Sequence, residues 1–569
     1  MEDTTSFSAY ATPAPARSRA SILRRVSLLS LFNVLAPVGT IVAVLLIGWI
    51  ALDVPAESFR SPDEHASYIF TKTLAETGSL AYEDEYIALD EDNIMHARGV
   101  LTFEGKGVPF NFLGLPVLYA PAYKLLGEDL RYIAIPLAVI TVVFLGLTAG
   151  RLTPGQGWIG WLVILGALPI LFSLFRPFMN VLPALTLCSI AGYFLLRYFQ
   201  EDTRSRLFLV VAAVAFAIAA LMRYELVILD SLFVLVVVLH KRGGVNRPAI
   251  SDLMAFGFVT VVFFVLPLGL LNWMTYGSPT EYGYRIFNEL YFPERIAEGG
   301  SGVSSLVTKL RSVLFPSYPI DFEMAGLSFV RQVVSVTPLF MITGGFGVYL
   351  LLRSGVPGKR LLLAYAAVAV YAFLYRGAGY SWLADSGTPS LESSILRYSM
   401  PVYLGCFFLA TYAIAQVKRF DFSLLLVAML AIPSLFGVLR DSDGNLLHVR
   451  EQLNIADVFV EERILTATEP DALIYTDTYD KLIGGRRDTA TWWVGAEGVN
   501  DENLRVDAIV RSMNQTVDSR PVYLLVADPS GVRARLEPGL SQHGIKFART
   551  KVGNMLKVER SAPAAGQGQ

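Results

Sequence analysis

The sequence predicts a polytopic α-helical membrane protein with a soluble α/β domain at its C-terminal end. Three observations predict this. Of the 569 residues, 53% are hydrophobic and only 17% charged, against about a quarter charged in an ordinary globular chain. The mean hydropathy is +0.48. The apolar residues also fall in blocks, and a bilayer-spanning helix takes roughly 20 of them. The 47 basic and 49 acidic residues leave a net charge of −2, which argues against a nucleic-acid partner. Cys188 and Cys406 both sit in apolar runs, so neither a disulfide scaffold nor a Cys-based zinc site is expected.

About eleven spans are predicted: 33–52, 129–150, 158–175, 178–196, 207–224, 226–240, 252–272, 334–352, 361–375, 401–417 and 422–439. Residues 112–127 are apolar but carry two prolines. They read as a further span or as an amphipathic helix at the interface. The positive-inside rule decides between these. Arg17, Arg19, Arg24 and Arg25 place the N-terminus in the cytoplasm. Kept out of the membrane, 112–127 leaves Arg197/Arg204/Arg206, Lys241/Arg242/Arg247, Arg353/Lys359/Arg360 and Lys418/Arg419 all inside. Residues 112–127 are therefore taken as interfacial. The first span reads as an uncleaved anchor rather than a signal peptide, and the expected location is multi-pass in the plasma membrane.

This topology predicts a cytosolic tail at 1–32, a transmembrane domain at 33–440, an extracytoplasmic α/β domain at 441–560 and a disordered tail at 561–569. The transmembrane domain holds a first outer loop at 53–128 with interfacial helices, a second at 273–333 and a shorter one at 376–400. In the terminal domain 450–467 and 502–513 have helical periodicity. Residues 472–476 and 521–526 read as buried strands, with IKFART and MLKVE as a closing pair. No Gly-rich phosphate loop or metal-ligand spacing occurs there, and a lid or docking role is expected.

The first outer loop contains Ser61-Pro62-Asp63-Glu64-His65. From 53 to 111 it holds twelve acidic residues against four basic ones, half of the acid clustered at 83–92. Asp63 and Glu64 stand apart, because they follow a proline and open a helical pattern ending at Gly78. Two readings are open. Pro-Asp-Glu is a common helix start, with acid at the positive end of the dipole. The pair can equally serve a polar cavity. Arg176, Arg223 and Arg397 lie near the outer ends of other spans, on the same side as Asp63. Ionisable groups at that depth are costly and tend to line such cavities, although snorkelling anchors account for each one singly. Carboxylates and arginines together suit an amphiphile with an anionic headgroup.

At these residues the chain resembles the polytopic GT-C glycosyltransferases, and within them the protein O-mannosyltransferase and aminoarabinose-transferase-like group, glycosyltransferase family 39. Four segments carry the resemblance: SPDEHASYIFTKTLAETGSL, VPFNFLGLPVLYAPAYKLLG, Arg176-Pro-Phe-Met179-Asn180, and Arg397-Tyr398-Ser-Met-Pro401. NWMTYGSPTEYGY, at 272–284, is also similar. The likeness covers roughly 30–440 and rests on the order and topological side of motifs that are weak singly. One residue departs from the pattern. The family often has Asp where this chain has Asn180, which can hydrogen-bond a sugar but cannot act as a base.

The resemblance implies a polyprenyl-phosphate sugar as donor, a protein, glycan or lipid acceptor, and membrane lipid around the site. It implies Asp63 as the base and Glu64 as its assistant. Arg223 and Arg397, with Arg176 or Arg98, would hold the donor phosphate. His65, His96, Asn180, Tyr224, Tyr276 and Tyr398 would contact sugar or acceptor. No metal site is expected from the spacing, and no cofactor is required; a divalent cation on Asp63/Glu64 is compatible with the residues but not compelled by them. Two other classes stay open: a transporter or flippase of an anionic amphiphile, and a non-catalytic scaffold. Transporters favour mid-membrane charge and paired halves, and neither is evident in the sequence.

Overall fold

A computed structural model of the chain describes residues 19–55, 57, 59–83, 87, 97, 99–110, 113–200, 205–223, 226, 250–291, 326–327, 329–353, 399–417, 419–439, 446–477, 479–484, 486–491 and 502–561. The described elements begin with α1 (Arg19–Leu52) and α2 (Pro62–Thr77), followed by the hairpin β1 (Val100–Phe103) and β2 (Lys106–Pro109). Next come α3 (Gly114–Leu126), α4 (Ala134–Leu152), α5 (Gly157–Leu165), α6 (Leu168–Leu174), α7 (Val181–Gln200) and α8 (Arg206–Met222). After these lie α9 (Ile250–Thr260), α10 (Leu266–Tyr276), α11 (Gly283–Tyr291), α12 (Pro338–Arg353), α13 (Met400–Ala415) and α14 (Phe420–Leu439).

Among the described residues five helical stretches are long and apolar enough to cross a membrane, and a bent pair makes a sixth; three shorter apolar helices accompany them. The expected spans at 226–240 and 361–375 lie outside the described residues. Side chains such as Val38, Leu46, Trp49, Phe258, Leu266, Ile342, Phe346 and Phe436 are exposed. So broad an apolar surface is untenable in water and is what an integral membrane protein presents to lipid. The first helix starts at Arg19, well inside the segment read as a tail.

Two spans depart from regular helix, and proline explains both. The stretch read as one span at 158–175 is broken into α5 and α6, bent by 63°. Pro169 sits in the first turn of α6; its ring clashes with the carbonyl four residues back and it has no N–H to continue α5. The Gly166 carbonyl at the break instead accepts from Ser434 Oγ at 2.8 Å. Between α9 and α10, Val261–Val265 form a π turn just before Pro267, which absorbs the same conflict without ending the helix.

The interfacial candidate, α3, runs on into α4, and together they form one of the five stretches, Gly114–Leu152. A 3₁₀ stretch, Gly127–Ile133, joins α3 to α4, and it opens at Gly127 with φ +55. One face of α3 (Leu115, Tyr119, Tyr123) is buried in a cluster with Phe59, Tyr68 and Phe178, while Val117, Leu118 and Leu125 on the other are exposed.

The terminal region begins with α15 (Leu446–Phe459), extended by a π turn at Val460–Leu465. It continues with β3 (Leu473–Thr476), α16 (Asp480–Ile483), β4 (Asp488–Thr491), α17 (Glu502–Thr516), β5 (Val522–Leu525), α18 (Pro529–Gln542), β6 (Ile545–Arg549) and β7 (Met555–Arg560). The sheet order is β4-β3-β5-β7-β6. β3 pairs parallel with both β4 and β5, while β7 runs antiparallel between β5 and β6. All four residues of β3 and of β5 are buried, as expected of parallel strands covered on both faces.

Ion pairs tie this region to the segment between α1 and α2. Arg450 pairs with Asp53. Arg486 donates to Glu57 Oε2 at 3.0 Å and also meets Asp457 and Glu461. Burial holds the Glu57 carboxyl above its ordinary value despite the Arg486 guanidinium beside it.

Candidate functional site at the acidic helix

The site is built on the N-terminus of α2. Ser61 is its N-cap in extended backbone, and Pro62 pre-sets the first turn. Ser61 Oγ accepts from Glu64 N at 3.4 Å. Glu64 Oε2 accepts in return from Ser61 N at 3.1 Å and from Arg60 N at 3.0 Å. This is a complete capping box. Gly78, with φ +78, closes the helix by donating to Leu74 O.

Glu64 has a second duty. Its Oε2 lies 3.9 Å from Arg176 Nη1, with both side chains at most 3% exposed. Arg176 is placed there by the α5–α6 bend, which carries the end of α6 to the foot of α2. Glu64 thus serves the N-cap and also faces a buried arginine. Asp63 is half-buried on the same turn.

The span junction sits beneath. Ser61 Oγ contacts Met179 Sδ at 3.7 Å. Asn180 Nδ2 donates to Met222 O at 3.0 Å, so the Asn180 amide clasps the last turn of α8 next to Arg223. Arg223, extended and 9% exposed, caps that helix. The end of α8 is also met by α3: a Cβ on Gly114 would stand 2.3 Å from Leu221 O. Contacts therefore join three separate parts of the chain: the first turn of α2, the Arg176–Asn180 junction and the end of α8.

The remaining candidates fall elsewhere. The His65 ring is fully buried, stacked on Phe59 with centroids 5.3 Å apart, and has no exposed surface for an acceptor to touch. Tyr276 is 4% exposed, and its hydroxyl donates to Pro109 O at 2.5 Å, bracing the β1–β2 hairpin. His96, Arg98, Tyr224, Arg397 and Tyr398 lie outside the described residues. Among the described residues no three His, Cys, Asp or Glu side chains converge as a metal cluster would.

Two residues of this region escape the sequence reading. Arg60 Nη2 donates to Ala51 O at 3.2 Å and its guanidinium lies 5.2 Å from the centre of the Phe172 ring. A cation just past the end of a span was the available signal, since such residues satisfy the last carbonyls. Glu128 accepts on one oxygen from Tyr68 at 2.7 Å and Tyr123 at 2.6 Å, fastening α2 to α3. Burial and this hydrogen bond hold the Tyr68 hydroxyl well above the usual tyrosine range.

Similarity to solved structures bears on the whole arrangement. The aminoarabinose transferase ArnT from Cupriavidus metallidurans, solved with bound undecaprenyl phosphate, matches with a TM-score of 0.55 at 14% identity, covering 93% of this chain and 99% of that one. The oligosaccharyltransferase AglB from Archaeoglobus fulgidus, solved with an inhibitory peptide and dolichol-phosphate, matches with a TM-score of 0.52 at 12% identity, covering 93% and 75%. The chain has the GT-C fold. No protein-family model and no curated protein matches it by sequence. The fold likeness covers 93% of this chain, more than the roughly 30–440 over which the sequence resemblance runs.

Proposed function

We propose that this protein is a polyprenyl-phosphate-dependent membrane glycosyltransferase working on the extracytoplasmic face, with Asp63 as general base. The observation that carries the reading is the position of the acidic turn: Asp63 stands half-buried on the first turn of α2, next to Glu64, which faces the buried Arg176 of the span junction. Asn180 cannot replace Asp63, because an amide takes up no proton at neutral pH.

In this reading Asp63 removes the proton from the acceptor hydroxyl. The oxygen attacks the anomeric carbon as the bond from that carbon to the phosphate oxygen breaks. The electron pair leaves with polyprenyl phosphate, and a single displacement inverts the anomeric centre. Guanidinium groups stabilise the departing charge: Arg223 at the end of α8, with Arg397 and Arg98 as further candidates. Arg176 faces Glu64 beneath the acidic turn. The lipid phosphates bound in ArnT and AglB support a lipid-linked donor here. Trapped between a span junction and an interfacial helix, the acidic turn also fits an amphiphile that keeps its tail in the bilayer.

The test supplies membranes containing the protein with a panel of labelled polyprenyl-phosphate sugars. Asp63→Asn is expected to lower transfer by about 100-fold or more, the usual worth of a general base. Unchanged transfer by the variant removes Asp63 from that role, and absence of transfer by the wild type with every donor refutes the transferase reading.

A further inference from the structure

We propose that the turn Asp480–Gly484 of the terminal domain is a positioning element for Asp63, so that the soluble domain is a working part of the site and not an appendage. The proposal rests on the glycosyl-transfer reading. Three contacts join this turn to the backbone that carries the acid pair. Phe59 N donates to Lys481 O at 3.2 Å. Lys481 Nζ donates to Arg60 O at 3.4 Å. Gly484 lies so close to the imidazole of His65 that a Cβ there would stand 2.0 Å from Cε1 and 2.2 Å from Nε2.

The glycine answers to space and not to backbone shape. Gly484 has φ −64, open to any residue, and its N–H is fixed by Asp480 O at 2.8 Å. What the position forbids is a side chain, because the ring beneath it is fully buried and backed by Phe59. Phe59–Ser61 is thereby held between two clasps, Lys481 on one side and the Glu64 carboxylate on the other. His65 follows Asp63 by two residues on the same helical turn, so displacing its ring displaces the base.

The place of the turn in the domain supports the assignment. It follows the carboxyl end of β3, the strand flanked by β4 on one side and β5 on the other. In open parallel sheets that is where the crevice for a ligand opens. Here that end of the sheet meets the acidic helix through Lys481 and Gly484, which makes it a clamp on the active turn. The nearby pair of Arg486 with Glu57 keeps the domain seated.

The full chain, purified in lipid nanodiscs, is compared as wild type, Gly484→Ala, His65→Ala, the double variant and Lys481→Met. Transfer is measured from labelled polyprenyl-phosphate sugars, and hydrogen exchange is measured over residues 59–70. Gly484→Ala is expected to lower kcat by about 100-fold, the scale of a 1 Å misplacement, with donor KM changed less than about threefold and exchange over 59–70 faster. His65→Ala alone lowers the rate less than Gly484→Ala does, and in the double variant it restores the rate to its own level by making room for the added methyl. Lys481→Met, which adds no bulk, gives a smaller loss in the same direction and covers the case in which Gly484→Ala does not fold. Unchanged exchange and unchanged transfer overturn the proposal. So does a loss in Gly484→Ala that removing the imidazole fails to rescue, or faster exchange with transfer intact. If the wild type transfers no sugar while exchange responds as stated, the clasp stands and the transferase reading falls.

Discussion

The pairing of Glu64 with Arg176 can be measured by a double-mutant cycle. Glu64→Gln keeps an acceptor oxygen for Ser61 N and Arg60 N, because glutamine also completes a capping box. It removes only the charge. At the observed 3.9 Å, and with an effective dielectric constant of about 20, two unit charges interact by roughly 4 kcal/mol. Desolvation offsets part of that, so the coupling expected between Glu64→Gln and Arg176→Met is about 2–4 kcal/mol. Glu64→Ala should cost about 1 kcal/mol more than Glu64→Gln, the worth of the lost cap. Stability is read from reversible denaturation of the detergent-solubilised protein, as single, single and double variants against wild type. The double variant is expected to be more stable than the sum of the single effects predicts. A coupling below about 0.5 kcal/mol would show that the two groups do not interact and that Glu64 serves the helix cap alone. Equal losses for Glu64→Gln and Glu64→Ala would show that the capping hydrogen bonds carry no weight.

Two further outcomes are expected. Asn180→Asp, which installs the residue of the resembling enzymes, replaces a donor by an oxygen 3.0 Å from Met222 O and should destabilise by about 2 kcal/mol; thermal denaturation showing no loss would mean that the clasp on α8 is dispensable. In acid the terminal domain should weaken, because its hydrogen bond from Arg560 holds Asp518 below the usual carboxylate range and that from Tyr523 does the same for Glu469. Depressed values contribute stability above the ordinary 3.8 and 4.5 that is lost as pH falls through the lowered ones. Glu57, raised by burial, has the opposite sign: its contribution is present below its ordinary value of 4.5 and is lost as pH rises through the raised one. Protease susceptibility of 446–561 across an acid titration checks both, and an Asp518→Asn curve identical to wild type would remove Asp518 from the account.

Membrane residence and most of the described spans were legible in the sequence, because an apolar block long enough to cross a bilayer has few other stable fates. The Ser61–Glu64 cap was legible for the same kind of reason: its partners lie within four residues of one another, and local chemistry is written locally. Even the break between α5 and α6 had its signal in Pro169. Less visible were β4, four residues long with the polar sequence Asp-Thr-Ala-Thr, and α18, which contains Pro538; short or interrupted elements form because neighbours cover them, not because their own pattern demands it.

The cation that Glu64 meets was undecided until the chain was folded. The spacing from Ser61 marks Glu64 for the cap, but nothing along the chain shows what else the buried carboxylate faces. That partner is Arg176, arriving from more than a hundred residues away through a bent span. The same is true of His65, a candidate for the acceptor by its position and a packing residue by its burial, and of Gly484, whose need for a bare α-carbon arises only where the terminal domain meets the acidic helix. Periodicity, caps and hydropathy depend on near neighbours, so they can be read along the chain. Ion pairing, burial and close approach depend on residues that only long-range packing brings together.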